Sequence, residues 1–375
     1  MVGRTQLFRP FNKSFMQNNP AKSDRSWKDK ISHAAQWGGI ETSVLDNVLG
    51  RGTRIAWINT GAGLRYKVLI DRGMDIADAH FNQHNLVWIS HGGTRAPQPF
   101  SNKGVDWLRT FGGGLLTTCG LSHTGGPESD GYGDRGLHGN VSNIPAEIES
   151  IIQPDPVNGK MEMSITGIVK EMTVFGPILE WRRTISGVLG EAVIKIHDEI
   201  INRGNTPAPH MLLYHFNFGW PLVDEGTELV WRGEWKSRDG DPHNPIFNPS
   251  NNFKTCPPPM PSHSGGGEEA AFIDVQADES GQATCGLYNP RTGLAVALRY
   301  QKKALPWLIN WQHWGKGEYV TGLEPATQPP IGQKAAREQG TLILLEPGEH
   351  RHYHLELDIL TEEGHIKEFL KLNQQ

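Results

Sequence analysis

A histidine and a glutamate are the residues of this sequence with the clearest potential for chemistry. His215 lies in the apolar run 211–218, and Glu324 lies in the segment 322–327, where the proline that follows it stiffens the chain. If the first run is a β-strand, His215 and Asn217 share one face, and the aromatic residues beside them share the other. A histidine and a carboxylate held by rigid β structure can donate one proton and accept another in the same reaction. We therefore predict general acid–base chemistry at His215 and Glu324.

The rest of the sequence predicts β structure around these two residues. The chain has 375 residues, including 44 glycines, 25 prolines and 12 tryptophans, and its apolar runs are short. Short apolar runs separated by turn-forming residues are typical of an antiparallel β protein. Residues 54–59 and 66–70 flank a glycine-rich turn and predict a hairpin, and residues 87–90 predict a further strand. Near the end, 341–345 and 352–360 are expected to form two closing strands around a Pro-Gly turn.

The predicted organisation is one large domain. Because no internal repeat or clear linker divides the chain, we predict an N-terminal extension over residues 1–40 and a single β domain over 41–375. Within the extension, residues 23–31 predict a short helix. Residues 237–267 include three consecutive prolines and predict a long loop. A loop of that length is usually a lid, a binding loop or disordered.

Composition argues against several classes of partner. The chain carries 36 basic and 41 acidic residues, a net charge of −5, and shows no basic cluster, so we expect no nucleic-acid and no membrane partner. No stretch reaches the roughly 20 apolar residues that cross a bilayer. Residues 1–17 lack the apolar segment of a signal peptide, and the three cysteines show no metal-like spacing. We expect a cytoplasmic protein without a disulfide framework.

Several candidate functional residues have a structural alternative, and His215 with Asn217 could instead form a buried, satisfied polar pair. His138 follows a glycine-rich loop, and loops on a rigid β scaffold commonly carry functional groups. Arg72 either belongs to a surface cluster of salt bridges or donates its N–H groups to substrate hydroxyls or a carboxylate. Trp311 belongs to an aromatic-rich run that precedes Glu324. That run either fills the core or offers a platform for the apolar face of a sugar.

A metal site is the main chemical alternative. Five residues could supply imidazole and carboxylate ligands if loops brought them together, namely His123, His138, His210, His215 and Glu324. No HExxH or CxxC spacing supports such a site, and the glycines at 112–114 lack the lysine of a P-loop. Cys119 lies near His123, but no third group is evident to orient a thiol nucleophile. We therefore expect no metal and no cofactor.

Five short motifs together resemble the aldose 1-epimerase (galactose mutarotase-like) superfamily, and more closely a divergent branch of it whose function is unknown. They are 71–76, 113–121, 136–139, 213–219 and 322–327. The resemblance covers nearly all of the chain beyond the N-terminal extension. It implies an all-β fold, a β-supersandwich of antiparallel strands, with a sugar bound in a cleft across one face.

The resemblance also implies roles for individual residues. The Tyr-His-Phe-Asn run at 214–217 is similar to the mutarotase motif whose histidine is the general acid on the ring oxygen, which assigns that role to His215. Glu324 corresponds to the general base on the anomeric hydroxyl. His138, in a His-Gly motif, corresponds to a histidine that contacts the substrate.

Further substrate contacts are predicted at an arginine, an aspartate, an asparagine and a tryptophan. The usual arginine motif ahead of the His-Gly motif is missing, and Arg72 is its substitute. Asp75 or Asp224 stands for the family's substrate-binding aspartate, and Asn217 and Trp311 are the remaining predicted contacts.

The function implied is the interconversion of sugar anomers without a cofactor. The expected partner is a small-molecule carbohydrate, and the chain could form a homo-oligomer. Two other classes of function stay open, a sugar-binding protein without turnover and a metal-assisted isomerase or lyase that acts on a modified sugar.

Overall fold

The computed structural model describes residues 30–47 and 49–373. In chain order, the first twelve strands are β1 (Gly39–Val44), β2 (Arg54–Asn59), β3 (Leu64–Leu69), β4 (Asp75–Phe81), β5 (His84–Asn85), β6 (Leu116–Cys119), β7 (Glu128–Asp130), β8 (Gly133–Arg135), β9 (Glu147–Ile152), β10 (Glu162–Met172), β11 (Ile178–Val188) and β12 (Val193–Asn202). The remaining strands are β13 (Ala208–His210), β14 (Leu213–Phe218), β15 (Glu228–Val230), β16 (Gly233–Ser237), β17 (Glu269–Val275), β18 (Gln282–Asn289), β19 (Leu294–Gln301), β20 (Trp307–Gly315), β21 (Glu318–Ala326), β22 (Ile343–Leu345) and β23 (His350–Leu360).

Helices are few and short. The α-helices are α1 (Trp107–Thr110), α2 (Gly332–Glu338) and α3 (Glu363–Leu370). Short 3-10 turns occur at Ala34–Gln36, Val141–Asn143, Pro156–Asn158, Pro261–His263 and Lys371–Asn373. None of the helices in the described part of the chain is long and apolar enough to cross a membrane.

Two large antiparallel sheets form the body of the protein. The eleven-stranded sheet has the order β1-β2-β3-β4-β6-β14-β21-β20-β17-β16, with β5 beside β4. The eight-stranded sheet has the order β15-β18-β19-β23-β12-β11-β10-β9. Two small ribbons, β13 with β22 and β7 with β8, complete the strand pairing. This architecture confirms the predicted all-β fold of antiparallel strands.

The main core lies between the inner faces of the two large sheets. Side chains alternate along each strand, so β14 contributes Tyr214, Phe216 and Phe218 to this core, and β23 contributes Tyr353 and Leu355. Each large apolar side chain buried in this way stabilises the fold by about 1.5–3 kcal/mol. A second apolar cluster covers the outer face of the eleven-stranded sheet and consists of Trp107, Cys119, Leu213, Ala270, Phe272, Ile309 and Ala326. The site described below lies on this outer face.

A buried ionic network connects the two sheets. Arg183 of β11 donates to Asp198 of β12 (Nη2–Oδ2 2.8 Å) and to Asp75 of β4 (Nη1–Oδ1 3.0 Å). From the other sheet, the Tyr214 hydroxyl donates to Asp198 over 2.7 Å, and Thr118 of β6 donates to Asp75 through both its backbone N–H and its hydroxyl. Because every charge in it has a partner, the network fixes β4, β6 and β14 against the eight-stranded sheet.

Several local predictions are confirmed. The hairpin predicted at 54–59 and 66–70 is β2 with β3, paired from Ile55–Leu69 to Asn59–Arg65. The central strand predicted at 211–218 is β14, which begins at Leu213. The long loop predicted at 237–267 is irregular apart from one 3-10 turn. The first strand already begins at Gly39, and the helix predicted at 23–31 lies almost entirely outside the described residues.

Two predicted strand arrangements are wrong. Residues 87–90 form only isolated bridges, because Trp88 N–H donates to Asn217 O whereas Ser90 N–H donates to Gly112 O. The segment thus passes from one neighbour to another instead of pairing along either. The expected closing pair also fails, since β22 pairs with β13 rather than with β23. Both edges of β23 are already occupied, one by β12 and the other by β19.

Candidate active site

His215 and Glu324 meet on adjacent strands in the middle of the eleven-stranded sheet. Leu213 of β14 pairs with Ala326 of antiparallel β21, so the register places His215 opposite Glu324. The two side chains point to the same outer face, where His215 Nε2 lies 3.3 Å from Glu324 Oε1. Only 8% of the His215 side chain and 4% of the Glu324 side chain are exposed. Backbone pairing on both sides thus holds an imidazole and a carboxyl group in contact.

Each member of the pair keeps a buried polar atom without a hydrogen-bond partner. Within the described residues, neither His215 Nδ1 nor Glu324 Oε1 has such a partner. Buried polar groups are nearly always satisfied, and unpaired ones concentrate at functional sites. Gly322 makes room for the carboxyl group, because a Cβ at that position would lie 2.4 Å from Glu324 Oε1.

Aromatic rings surround the imidazole of His215. The ring centroids of Phe111, Trp311 and Trp107 lie 5.2, 5.4 and 6.1 Å from the His215 centroid. Trp107 and Phe111 stack on each other with their centroids 4.2 Å apart, and both belong to α1 or its C-terminal cap. The predicted contact residue Trp311 therefore lies at the site, where its indole forms an apolar wall beside His215.

An ion pair at the edge of the site holds Trp311 in position. Trp311 Nε1–H donates to Glu268 Oε2 over 2.6 Å, and Glu268 in turn pairs with Arg238 at 2.8 Å. Arg238 is the first and Glu268 the last residue of the long irregular segment between β16 and β17. That segment therefore borders the site, as a binding loop would.

His138 lies at the site, on the loop that follows β8. Its backbone has a left-handed conformation with φ of 59°, and its ring centroid lies 5.0 Å from that of Trp107 and 6.4 Å from that of His215. The backbone N–H of Gly125 donates to His138 Nδ1 over 3.3 Å. Burial, together with the nearby His123, lowers the pKa of His138 to about 4. The neutral ring therefore carries its proton on Nε2 and can donate it to an oxygen atom.

The pKa shifts of His215 and Glu324 favour a single proton on the pair. Burial raises the pKa of Glu324 well above its ordinary value, and Glu268 adds to the rise. Burial and the neighbouring His138 ring lower the pKa of His215 to about 3. Both shifts disfavour the state in which a charged imidazolium of His215 lies beside a charged carboxylate of Glu324. They favour one proton on the pair, carried by the carboxyl group. A pair with a single proton has one donor and one acceptor.

The raised pKa of Glu324 makes the stability of the protein depend on pH. Below pH 4.5 the carboxyl group is neutral in both the folded and the unfolded chain, whereas at higher pH only the unfolded chain ionises it freely. Stability is therefore lost as pH rises toward the folded-state pKa. We expect Glu324→Gln to raise the melting temperature, by more at about pH 8 than at about pH 4. Thermal unfolding of both proteins across this range measures the difference, and an increase that does not depend on pH would contradict it.

Arg72 has its guanidinium bonded to backbone carbonyls. It donates to Ser142 O (2.5 Å), Arg95 O (3.1 Å) and Thr110 O (3.1 Å) and is 5% exposed. Thr110 ends the helix that carries Trp107, so Arg72 holds an element of the site in place. The surface alternative for Arg72 does not apply, because its side chain is buried. Its predicted contact with substrate stays a prediction.

Asp75 points away from the outer face that the pair occupies, whereas Asn217, two residues after His215 on β14, belongs to that face. Asp75 is part of the ionic network between the sheets. Asn217 is fully buried and donates to Gly114 O over 3.1 Å and to His215 O over 2.9 Å. Asp224, the other candidate aspartate, pairs with Arg291. These bonds support structural roles, while substrate contact by Asp75 and Asn217 stays a prediction.

The remaining candidates for a metal or thiol site are His210, His123 and Cys119. His210 contacts Leu121 O and the Tyr353 hydroxyl, and His123 contacts Gly126 O. Cys119 is buried on the outer face, and its burial, with Glu324 nearby, raises its pKa well above the ordinary value. A thiol in that state is a poor nucleophile.

Three residues of the site were not predicted from the sequence. Trp107 and Phe111, spaced four apart, supply two rings, and Glu268 anchors Trp311. The spacing of Trp107 and Phe111 is the one signal that could have indicated a shared helical face. Nothing near Glu268 in the sequence marks it as a neighbour of a residue 43 positions away.

Comparisons with known proteins agree with this geometry at the level of the fold. A candidate aldose 1-epimerase from Klebsiella pneumoniae has a TM-score of 0.79 and 23% identity, over 89% of this chain and 87% of that one. A galactose mutarotase-like protein from Clostridium acetobutylicum has a TM-score of 0.55 and 10% identity, over 86% and 98%. A galactose mutarotase related enzyme from Lactobacillus acidophilus has a TM-score of 0.54 and 10% identity, over 86% and 99%. A search of curated proteins found no match.

The family assignment rests on the sequence. The family described as "Domain of unknown function (DUF4432)" matches residues 50–359, which is most of the chain and includes both His215 and Glu324. The chain belongs to this DUF4432 family and has the galactose mutarotase-like fold.

Proposed function

We propose that this protein is an aldose 1-epimerase that interconverts the anomers of a sugar by acid–base catalysis at His215 and Glu324. The observation that carries the proposal is the 3.3 Å contact between His215 Nε2 and Glu324 Oε1. Two properties of that contact support it. The pair is nearly buried, and it lies beside the indole of Trp311, which suits the apolar C–H face of a pyranose.

The reaction needs one proton donor and one proton acceptor on the same sugar. Glu324 takes the proton of the C1 hydroxyl while His215 protonates the ring oxygen, and the bond between C1 and the ring oxygen breaks. After rotation about the C1–C2 bond, closure on the other face of the carbonyl reverses both transfers. The single proton of the pair passes to His215 before the first step, and the contact between the two groups provides a direct route for it.

His138 has a separate role in this mechanism. Its neutral ring holds a proton on Nε2, so it donates a hydrogen bond to a sugar oxygen without adding a charge to the site. A donor aimed at the oxygen on which charge develops stabilises the open-chain carbonyl. Trp107, whose ring lies against His138, limits the access of water to that region.

The experiment that tests the function is anomer exchange by NMR on neutral, acidic and phosphorylated aldoses. We expect exchange above the uncatalysed background for one of these classes. Background exchange with every sugar would contradict the epimerase proposal. Sugar binding without exchange would then favour the binding protein, and an altered product would favour a lyase or an isomerase.

Substitution of Trp311 is expected to change the affinity for the sugar. Trp311→Ala removes the apolar wall and is expected to raise KM about tenfold, while kcat changes less. Trp311→Phe is the matched control, because it keeps a ring but loses the N–H that bonds to Glu268. Steady-state kinetics on the sugar found by NMR measures both variants. An unchanged KM in Trp311→Ala would show that the sugar does not stack there.

A further inference from the structure

A group of histidines lies on the outer face of the eight-stranded sheet, on the side of the protein away from His215. His350, His352 and His354 alternate along β23, and Tyr353 between them points into the main core. On the neighbouring strand β12, His197 and Glu199 share the same outer face. The register places His352 opposite Glu199 and His354 opposite His197. Four imidazoles and one carboxylate therefore meet on two adjacent strands.

Three of these side chains converge on one point. His350 Nδ1 lies 2.7 Å and His352 Nε2 lies 3.9 Å from Glu199 Oε1. The three ligand atoms all lie within 4.8 Å of one another, and within the described residues no other group of histidine, cysteine and acidic side chains meets this criterion. Ligand atoms around a tetrahedral zinc ion lie roughly 3.4 Å apart when each bond is about 2.1 Å. Small rotations of exposed side chains close that difference.

A second histidine orients the first. His352 Nδ1 lies 3.4 Å from His197 Nε2, so one of these atoms donates to the other. When His352 is the donor, its proton lies on Nδ1 and its Nε2 lone pair faces Glu199. Metal-binding histidines are typically oriented in this way, by a hydrogen bond from the ring nitrogen that does not bind the metal.

A third ring holds the orienting histidine. His354 stacks on His197 with their centroids 4.1 Å apart and an interplanar angle of 17°. The stack limits rotation of the His197 ring and so keeps its Nε2 facing His352.

We propose that Glu199, His350 and His352 form a binding site for a divalent transition-metal ion of the zinc class. Two imidazoles and one carboxylate suit zinc and its first-row neighbours better than magnesium or calcium, which prefer oxygen ligands. Three protein ligands leave a position for water.

The ion replaces the hydrogen that joins His350 to Glu199, and the His350 proton then resides on Nε2. The positive Arg182 lies beside Glu199, but its charge is matched by Glu149.

Binding is tested on full-length protein that carries no histidine tag and has been freed of metal by dialysis against a chelator. Calorimetric titration with Zn²⁺ is expected to show one saturable site per chain. Titration with Co²⁺ is expected to produce visible absorption bands of a low-symmetry site. The site is independent of the proposed epimerase activity, so neither measurement uses a sugar.

Variants then assign the site to its residues. We expect Glu199→Gln, His350→Gln and His352→Gln each to weaken Zn²⁺ binding by at least about tenfold, and His197→Gln to weaken it by about tenfold through the orientation of His352. His243→Gln, which changes an exposed loop histidine elsewhere, is the matched control and is expected to bind as wild type. Circular dichroism checks that each variant is folded. The absence of a saturable site in the wild type, or equal binding in the three ligand variants and the wild type, would overturn the proposal.

Discussion

Glu324→Gln is expected to slow catalysed anomer exchange by about 10²–10⁴-fold, the usual contribution of a positioned general acid or base. Glutamine has the shape of the carboxyl group and fits above Gly322, but it neither accepts nor releases a proton near neutral pH. The loss therefore falls on kcat, while KM changes little, because the sugar still meets the same aromatic walls. Progress curves from NMR at saturating sugar measure kcat directly.

A residue on the same strand gives the control for this variant. Glu318 also belongs to β21, but it is exposed and lies 3.5 Å from His313 rather than beside His215 and Glu324. Glu318→Gln makes the same substitution on the same strand and is expected to keep the wild-type rate. If Glu324→Gln exchanged anomers as fast as Glu318→Gln, the carboxyl group would have no part in proton transfer.

Asp198→Ala is expected to lower the free energy of unfolding by about 3–5 kcal/mol, the usual cost of removing one partner from a buried charge pair. Asp198 is fully buried, accepts hydrogen bonds from the Arg183 guanidinium at 2.8, 2.9 and 3.3 Å, and also accepts one from Tyr214. The substitution leaves a buried guanidinium with Asp75 as its only carboxylate partner among the described residues. The hydroxyl of Tyr214, the residue before His215 on β14, loses its hydrogen bond to Asp198 as well.

Urea unfolding followed by tryptophan fluorescence measures this loss. Asp224→Ala is the control, because Asp224 pairs with the exposed Arg291, and such surface pairs contribute about 0–1 kcal/mol. A loss in Asp198→Ala no larger than that of the control would show that the network does not stabilise the sandwich.

Strand composition and turn residues predicted much of the fold. The alternation at 213–218 indicated which side chains of β14 enter the core, and the hairpin at 54–69 followed from its glycine-rich turn. Pairing between distant segments could not be predicted in this way. Whether β22 pairs with β23 or with β13 depends on which edges of β23 are already occupied, and the local sequence does not contain that information.

For the candidate site too, residue types were predictable from the sequence, whereas contacts between distant segments were not. His215, Glu324, His138 and Trp311 lie together, and their residue types had indicated acid–base chemistry next to aromatic rings. Arg72 and Asp75 have side chains equally suited to substrate and to buried backbone, and only the sheet packing decides which one they meet. Trp107 and Glu268 reach the site through tertiary contacts alone.

The central claim is that His215 and Glu324 act as one proton-transfer unit, and a double-mutant cycle tests it most directly. Exchange NMR on one sugar compares the wild type with His215→Gln, Glu324→Gln and the double variant. We predict catalysed exchange in the wild type, a loss of about 10²-fold or more in each single variant, and a double variant no slower than the slower single variant. Exchange at the background rate in the wild type, single variants that keep the wild-type rate, or losses that multiply in the double variant would each contradict the claim.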